Sequence, residues 1–225
     1  MDNSVKISGF ATGPFQANCY IVSDGERAVV IDPGMGAAAA LNKVLSEQEL
    51  ALEKIILTHG HIDHVRDAGE LAAQMGADGE SVPVYLAQGD WFMVTEPGQG
   101  VSPEAARAHD VEHMHPIENL QELVAGPLDM CGMEFDVRPA PGHSPGCMLL
   151  VGSQFVFTGD VLFAGSIGRT DLPKSDPGAM KKSLATQVAT LPPELTALPG
   201  HGPGTTIAKE LASNPFLTSS FLTGI

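Results

Sequence analysis

The feature that most constrains this chain is a cluster of metal-ligand side chains directly after an apolar segment. Residues 54–58 are predicted to form a buried strand, and the motif His59-x-His61-x-Asp63-His64 follows it at once. In extended chain, residues two apart point to the same side, so His59 and His61 can face one metal ion. Asp63 and His64, where the chain turns, can face a second. The spacing differs from HExxH, whose histidines lie one helical turn apart.

Three further ligand-type residues lie beside glycines at predicted strand ends: His143, Asp160 and His201. Binding groups gather at strand ends because a rigid sheet fixes them there while the tip stays open. With the motif, the candidates number seven, which suits two metals if one carboxylate bridges them. Asp160 is the expected bridge, because both of its oxygens can bind. Imidazole and carboxylate without thiolate suit zinc, iron or manganese, and zinc is the expected metal.

The other histidines, His109, His113 and His115, lie in segment 88–116, which is rich in glycine and proline. The segment is too long for a plain connection, so it is predicted to be an excursion over the surface. The three histidines are interpreted as surface residues that can reach the mouth of the site only if the excursion folds over it.

Short strands and helices alternate in two similar halves, an order that two sheets packed face to face with helices outside would satisfy. The chain has 225 residues, and we expect one α/β domain over 1–225. Strands are predicted at 5–9, 19–23, 27–32, 54–58, 82–86, 121–125, 133–138, 147–151, 154–158 and 195–198. Helices are predicted at 36–50, 67–75, 103–108, 177–190 and 206–212.

Charge and composition argue against nucleic acid and membranes as partners. Twelve basic against 27 acidic residues give a net charge of −15, which repels phosphate backbones and disfavours nucleic acid. No apolar run approaches the roughly 18 residues of a membrane span, and the N-terminus lacks a secretory pattern. Cys19, Cys131 and Cys147 are odd in number and widely spaced, which predicts free thiols and a cytoplasmic protein. The oligomeric state stays open.

The ligand motif, with His143, Asp160 and His201, resembles the metallo-β-lactamase superfamily. The resemblance spans nearly the whole chain, from Asn18-Cys19-Tyr20 and Ile31-Asp32-Pro33-Gly34 to Gly200-His201-Gly202-Pro203. It implies a four-layer αββα sandwich with two metals at the sheet edge.

Within the superfamily, segments 158–163, 165–171 and 202–217 look like the short bacterial type II glyoxalases. This likeness implies hydrolysis of S-hydroxyacyl thioesters such as S-D-lactoylglutathione. Longer members carry a C-terminal helical domain with basic residues that grip glutathione, and we expect that domain to be absent here. Gly168-Arg169-Thr170-Asp171 also occurs in persulfide dioxygenases, which use one iron. That activity stays an alternative, as does hydrolysis of lactones or β-lactams.

For the hydrolase, two divalent ions are expected to lower the pKa of a shared water from about 15.7 toward 7, and the metal-bridged hydroxide attacks the thioester carbonyl. Asp63 is expected to orient it. Asp32 either holds an imidazole by its second nitrogen or is a turn residue. Arg169 either binds a substrate carboxylate or forms a surface ion pair. Tyr20 and Phe163 are predicted to be core residues rather than substrate wall.

Overall fold

A computed structural model of the protein describes residues 5–223, and in this part of the chain two six-stranded sheets pack face to face. The first sheet has the order β1-β2-β3-β4-β5-β6, with antiparallel pairing from β1 to β3 and parallel pairing from β3 to β6. Its strands are β1 Lys6–Thr12, β2 Ala17–Ser23, β3 Arg27–Ile31, β4 Ala51–Ile56, β5 Val84–Leu86 and β6 Leu120–Glu122.

The second sheet has the order β12-β11-β10-β9-β8-β7. Its pairs are antiparallel except for β10 with β11, which run parallel. Its strands are β7 Gly126–Met130, β8 Met133–Pro139, β9 Met148–Val151, β10 Phe155–Gly159, β11 Thr196–Pro199 and β12 Thr205–Thr206. Both sheets are therefore mixed.

The helices are short. The α-helices are α1 Ala37–Glu47, α2 Ile62–Val65, α3 Ala68–Met75, α4 Trp91–Thr95, α5 Pro103–Ala108, α6 Pro177–Ser183, α7 Ile207–Ser213 and α8 Ser219–Thr223. Single turns of 3₁₀ or π-helix complete the set at Gln88–Asp90, Val111–His113, Leu184–Val188 and Pro215–Leu217. Over residues 5–223, no helix combines the length and the apolar character needed to cross a membrane.

Several helices begin at residues that the sequence marks as caps. The side chain of Ser102 accepts a hydrogen bond from the first turn of α5, and Pro103 starts that helix. Asp176 and Pro177 do the same for α6, and Thr206 caps α7. These side chains satisfy backbone N–H groups that a helix start leaves free, so they set where each helix begins.

The layers follow from the alternation of side chains along the strands. In β3, Val29 and Ile31 pack into the apolar layer between the two sheets, together with Phe157 of the second sheet. Ala28 and Val30 point the other way, into the layer that α1 and α3 cover. A third apolar layer lies between the second sheet and helices α6 and α7. The protein is thus the four-layer αββα sandwich that the sequence predicted.

Two predicted elements differ from the structure. The strand expected at 121–125 is β6, which ends at Glu122, and the next strand, β7, was missed. β7 contains Pro127, which has no backbone N–H to donate to a neighbouring strand. β7 lies at the edge of its sheet, where such a donor is not needed on the open side. The single helix expected at 177–190 is α6 followed by the π-helical turn Leu184–Val188. The three cysteines are buried and free, as expected.

Strand ends from both sheets meet at one edge of the sandwich. The chain leaves β4 into the ligand motif, leaves β10 at Asp160 and leaves β11 at His201. Backbone hydrogen bonds join these exits: Met148 N–H donates to Thr58 O at 2.9 Å, and Gly200 N–H donates to Gly159 O at 2.8 Å. The fold therefore brings segments far apart in sequence to a single edge.

Candidate metal centre

The seven predicted ligand residues converge at this edge of the sandwich. His59, His61 and His143 each offer an atom such that the three atoms lie within 4.8 Å of one another, and we call them the first triad. Asp63, His64 and His201 do the same, and we call them the second triad. The motif thus contributes two residues to each triad.

Local backbone conformation separates the two halves of the motif. His61 is extended, with φ −67° and ψ 144°, and α2 begins at the next residue. His59 and His61 thus leave the extended chain on one side, while Asp63 and His64 lie on the first turns of α2. The sequence predicted the turn but not this short helix.

Asp160 lies between the two triads. Its Oδ2 is 3.3 Å from Nε2 of His143 in the first triad and 3.6 Å from Nε2 of His201 in the second. Its Oδ1 is 3.5 Å from Nε2 of His64. One carboxylate therefore faces both groups, as a bridging ligand must.

Most imidazoles of the cluster are oriented by a contact at one ring nitrogen. An oxygen atom of another residue lies 2.8–3.2 Å from one ring nitrogen, Nδ1, in each of four histidines. The pairs are His59 with Thr58 Oγ1, His64 with Asp32 Oδ2, His143 with Arg169 O and His201 with Phe15 O. Such contacts fix the ring orientation and leave the other nitrogen to face a metal.

Asp32 holds both the ligand motif and an imidazole. Its carboxylate accepts hydrogen bonds from Thr58 N–H at 2.7 Å and from the Thr58 hydroxyl at 2.6 Å, and it reaches His64 as described. Its backbone is left-handed, with φ 52°, a conformation that aspartate tolerates better than most residues. Of the two interpretations of Asp32, the structure shows the contact with an imidazole.

The cluster contains buried polar atoms that lack a partner within the described residues. They are Nε2 of His59, Nε2 of His61 and Oδ1 of Asp160. Buried polar groups are almost always hydrogen-bonded, so these atoms indicate a missing binding partner. Imidazole nitrogens and carboxylate oxygens without thiolate fit divalent metal ions.

The pKa values of the histidines shift in opposite directions in the two triads. Burial, reinforced by neighbouring imidazoles, lowers the pKa of His59 well below its ordinary value and that of His61 to about 3. Burial also lowers the pKa of His64, but the carboxylates of Asp63, Asp160 and Asp32 outweigh it and raise that pKa to about 10.

The pKa of Asp63, the carboxylate of the second triad, is lowered. Burial raises the pKa of Asp63, yet the nearby imidazoles of His64 and His201 outweigh burial and lower it. Burial lowers the pKa of His201, but the hydrogen bond that its imidazole donates to Asp63 and the charge of Asp160 outweigh burial and raise it. His59 and His61 of the first triad are therefore neutral near pH 7, and the second triad holds ion pairs in the metal-free protein.

A pocket of about 680 Å³ opens in front of the cluster. Its floor includes ligand candidates from both triads and Asp160. Its apolar walls are formed by Phe15, Ile62, Val101, Ala105, Phe163, Ile167 and Leu172. The site is therefore reachable from solvent through a mostly apolar channel large enough for a small molecule.

The sequence matches the family model described as "Metallo-beta-lactamase superfamily" over residues 12–201. The chain belongs to the metallo-β-lactamase superfamily. Its members are mostly metal-dependent hydrolases, and the His/Asp cluster here suggests a dinuclear metal site.

Three relatives of this superfamily member illustrate the range of the family. It is 35% identical over 211 residues to "Hydroxyacylglutathione hydrolase GloC" of Haemophilus influenzae, covering 91% of this chain and 94% of the relative. It matches the crystal structure of the BLEG-1 B3 metallo-beta-lactamase with a TM-score of 0.79 and 32% identity, over 95% and 100% of the two chains. It matches TTHA1623 in a di-iron-bound form with a TM-score of 0.74 and 38% identity, over 93% and 100%.

Segment 88–116 of this superfamily member folds over the pocket mouth. Gly100, Val101, Ser102 and Ala105 all line the pocket. The excursion thus supplies part of the pocket wall.

The prediction that its three histidines lie on the surface is wrong for His109. His113 and His115 are exposed, but His109 is fully buried, with its ring 4.7 Å from that of Phe15. The buried guanidinium of Arg66 donates to the His109 carbonyl at 2.7 Å and draws this part of the excursion inward.

Of the two aromatic residues predicted to lie in the core, one packs there and the other lines the pocket. Tyr20 is half-buried: its hydroxyl donates to Pro199 O at 2.7 Å and its ring packs on Phe157, as a core residue does. Phe163 instead lines the pocket, with its ring 5.8 Å from that of His201, so its prediction is wrong. Phe163 follows a strand end at the site edge, which brings it to the pocket rather than between the sheets.

Arg169 lies at the pocket rim. Its guanidinium makes a two-point ion pair with Asp171, with N–O distances of 2.7 and 2.8 Å, and both side chains are exposed. Its carbonyl oxygen is the atom that holds His143. The surface ion pair is therefore present, and Arg169 is also one of the residues that line the pocket.

One buried carboxylate beside the cluster received no role from the sequence. Asp90 is fully buried and contacts the loops that carry the first triad. It follows the end of β5 by four residues, at the same sheet edge as the other strand exits. That position is the only signal the sequence offered, because no motif surrounds it.

Proposed function

We propose that this protein is a dinuclear-metal hydrolase of acyl thioesters of the hydroxyacylglutathione hydrolase type. The observation that carries the proposal is the pair of triads joined by Asp160 at the floor of a pocket. The resemblance of segments 158–163 and 165–171 to type II glyoxalases supports the choice of substrate, as does the 35% identity to the Haemophilus influenzae protein of that name.

In this proposal the first triad would hold one ion and the second triad the other, and Asp160, which faces both triads, would be available to each. When bound, such ions lower the pKa of water toward 7 and polarise a carbonyl group. Zinc is the metal we propose. Iron and manganese suit the same donor atoms, and a di-iron form is described for the TTHA1623 relative.

Asp63 is the proposed catalytic carboxylate. Its lowered pKa keeps it anionic at neutral pH, so it accepts hydrogen bonds and can orient an attacking water. Its Oδ2 lies 3.2 Å from Nε2 of His201, which fixes the direction of the carboxylate. Asp32 keeps the ring of His64 in place from the opposite side.

The pocket walls hold the thioester and limit the access of water. Val101 and Ala105 from the excursion face the same space as Phe163 and Ile167. Excluding water strengthens electrostatic stabilisation of the negative charge that develops on the carbonyl oxygen. A thiol with a pKa of about 8.5 leaves readily as thiolate, so the proposal needs no general acid.

Arg169 is the proposed contact for a substrate carboxylate at the pocket rim. The guanidinium is exposed and matches carboxylates by two-point hydrogen bonding, as it does with Asp171. A substrate would therefore compete with Asp171 for this side chain. The buried free thiols and a small-molecule substrate fit a protein that acts in the cytoplasm.

A single experiment separates this proposal from its alternatives. The purified protein is analysed for metal content and assayed for thiol release from S-D-lactoylglutathione and other acyl thioesters. We expect two metals per chain, thioester turnover and loss of activity after chelation. One iron per chain with oxygen uptake on glutathione persulfide would instead establish the dioxygenase. Turnover of lactones or β-lactams without thioester turnover would establish the other hydrolase.

A further inference from the structure

Asp90 ends the 3₁₀ turn Gln88–Asp90 that opens the excursion, and its side chain is fully buried. A buried carboxylate costs free energy unless hydrogen bonds compensate for its lost hydration. The donors that surround Asp90 are therefore the key to its role.

Asp90 accepts hydrogen bonds from two different loops. Its Oδ2 accepts from Gly60 N–H at 2.8 Å and from the Ser144 hydroxyl, and its Oδ1 accepts from Gly146 N–H at 2.7 Å. Bonds from N–H and O–H groups to an ionised carboxylate are among the stronger hydrogen bonds in proteins.

The packing around this carboxylate leaves no spare room. A Cβ atom added at Gly60 would lie 2.8 Å from Cβ of Asp90, and one added at Gly146 would lie 2.6 Å from Cγ of Asp90. Only glycine lets the two backbones approach the carboxylate this closely. Glycine at both positions therefore allows both loops to contact Asp90.

Both loops hold ligands of the first triad, whereas Asp63 and His64 of the second triad lie on α2 and His201 follows β11. Gly60 lies between His59 and His61, and Ser144 directly follows His143. The loops are remote in sequence, yet Nδ1 of His61 and Nε2 of His143 are 2.7 Å apart. A rigid connection between the loops is needed to hold ligand atoms from both at one point.

We propose that Asp90 is a positioning residue that ties together the two loops of the first triad and so sets the geometry of that metal site alone. The inference rests on the metal centre of the proposed function but not on thioester chemistry. It also assigns the excursion a second task, because the segment that covers the pocket begins with the residue that organises the site beneath it.

The test uses the substitution Asp90→Asn, which keeps the shape of the side chain. Whichever way the amide turns, its NH₂ group replaces an oxygen that now accepts a backbone N–H, so at least one loop loses its bond. We expect metal affinity in the first triad to fall about 10- to 100-fold, the range seen when groups that support metal ligands are removed.

Variants in which only one triad is intact show which metal site the substitution affects. Asp90→Asn is combined with His201→Ala, which leaves the first triad intact, and with His143→Ala, which leaves the second triad intact. Cobalt(II) is titrated into the metal-free proteins, and affinity and the visible spectrum are recorded. We expect a loss of affinity and an altered spectrum only in the His201→Ala background. Equal losses in both backgrounds, or no loss in either, would overturn the inference.

Glu210→Gln is the matched control. Glu210 is also fully buried and also accepts three hydrogen bonds, from Gly165 N–H, the Thr205 hydroxyl and the Asn214 amide. We expect it to lower thermal stability as Asp90→Asn does while leaving cobalt affinity unchanged in both backgrounds. A similar loss of cobalt affinity in Glu210→Gln would mean that general destabilisation, not loop positioning, explains the result.

Ser144→Ala keeps the test decisive if Asp90→Asn does not fold. It removes one of the three donors and leaves both glycine contacts of Asp90 in place. We expect a several-fold loss of cobalt affinity in the first triad and none in the second, and unchanged affinity in the first triad would overturn the inference. A protein that binds two metals but cleaves no thioester would contradict the proposed function and leave this inference standing.

Discussion

The two triads use similar side chains and reach opposite electrostatic states. In the first triad, burial among other imidazoles lowers the pKa of His59 and His61. In the second, carboxylates surround His64 and raise its pKa to about 10. The difference comes from carboxylates, because Asp63 within the second triad and Asp160 and Asp32 beside it raise the pKa of His64, whereas the first triad consists of imidazoles only.

The contrast extends to how the triads are supported. The first is drawn together by Asp90, which contacts loop backbones, whereas in the second Asp32 contacts the ring of His64 directly. A metal entering the first triad meets the neutral imidazoles of His59 and His61, and one entering the second must displace a proton from His64. Two adjacent metal sites can therefore differ in affinity and in pH response because one of them contains a carboxylate and lies among others.

The largest expected effect is from Asp160→Ala, because Asp160 faces both triads. Loss of the shared carboxylate should weaken both sites and lower kcat/KM by about 10³-fold, equivalent to roughly 4 kcal/mol of lost stabilisation. Metal analysis and thioester kinetics measure this. Asp136→Ala, which removes an exposed carboxylate paired with Arg138, is the control and should change neither. Loss of a single metal only would show that Asp160 serves one triad.

The pH dependence of metal affinity should separate the triads. Because the pKa of His64 is raised to about 10, the metal-free second triad holds a proton at neutral pH that a metal must displace. Its apparent affinity should rise by about tenfold per pH unit between pH 7 and 9. The pKa of His61 is lowered to about 3, so the first triad should show almost no slope there.

The measurement is a metal titration of His143→Ala and His201→Ala at several pH values. Groups that face His64 from other elements, Asp32 and Asp160, are retained in both variants. Parallel slopes in the two proteins would contradict the electrostatic contrast.

Asp32→Asn should have an intermediate effect. Its carboxylate holds Nδ1 of His64, so the substitution should weaken metal binding in the second triad by about 10- to 100-fold and affect the first less. Chelator competition in the same two backgrounds measures this. Asp67→Asn, at a buried carboxylate that accepts a bond from Ala38 N–H, is the control for loss of a buried charge. A greater loss in the first triad would show that Asp32 acts mainly through Thr58.

The smallest expected effect is from Arg169→Gln at the exposed rim. Exposed ion pairs contribute about 1 kcal/mol or less, so KM for a thioester with a carboxylate in its thiol should rise at most about fivefold, with kcat unchanged. A thioester of a neutral thiol should show no change. Arg107→Gln, which removes an exposed cation paired with Glu104, is the control. Equal KM changes for both substrates would remove Arg169 from substrate recognition.

Much of the candidate site could be predicted because its signals are local. The two-residue spacing of His59 and His61 and the glycines beside the other candidates report what the chain does within a few residues. Asp90, Phe163 and His109 could not be predicted, since each depends on contact with a distant segment. Phe15, for example, comes from β-hairpin residues near the start of the sequence and packs against His109 near its middle.

The sequence by itself determined which side chains are available as ligands, which of them share a face and the alternation that buries three apolar layers. These properties follow from strand period and turn chemistry over short stretches. Only the tertiary structure decided the proton affinity of each triad, the wall of the pocket and the connection that Asp90 makes between loops. Electric fields, burial and close packing depend on which segments meet in space, and the order of residues along the chain does not state that.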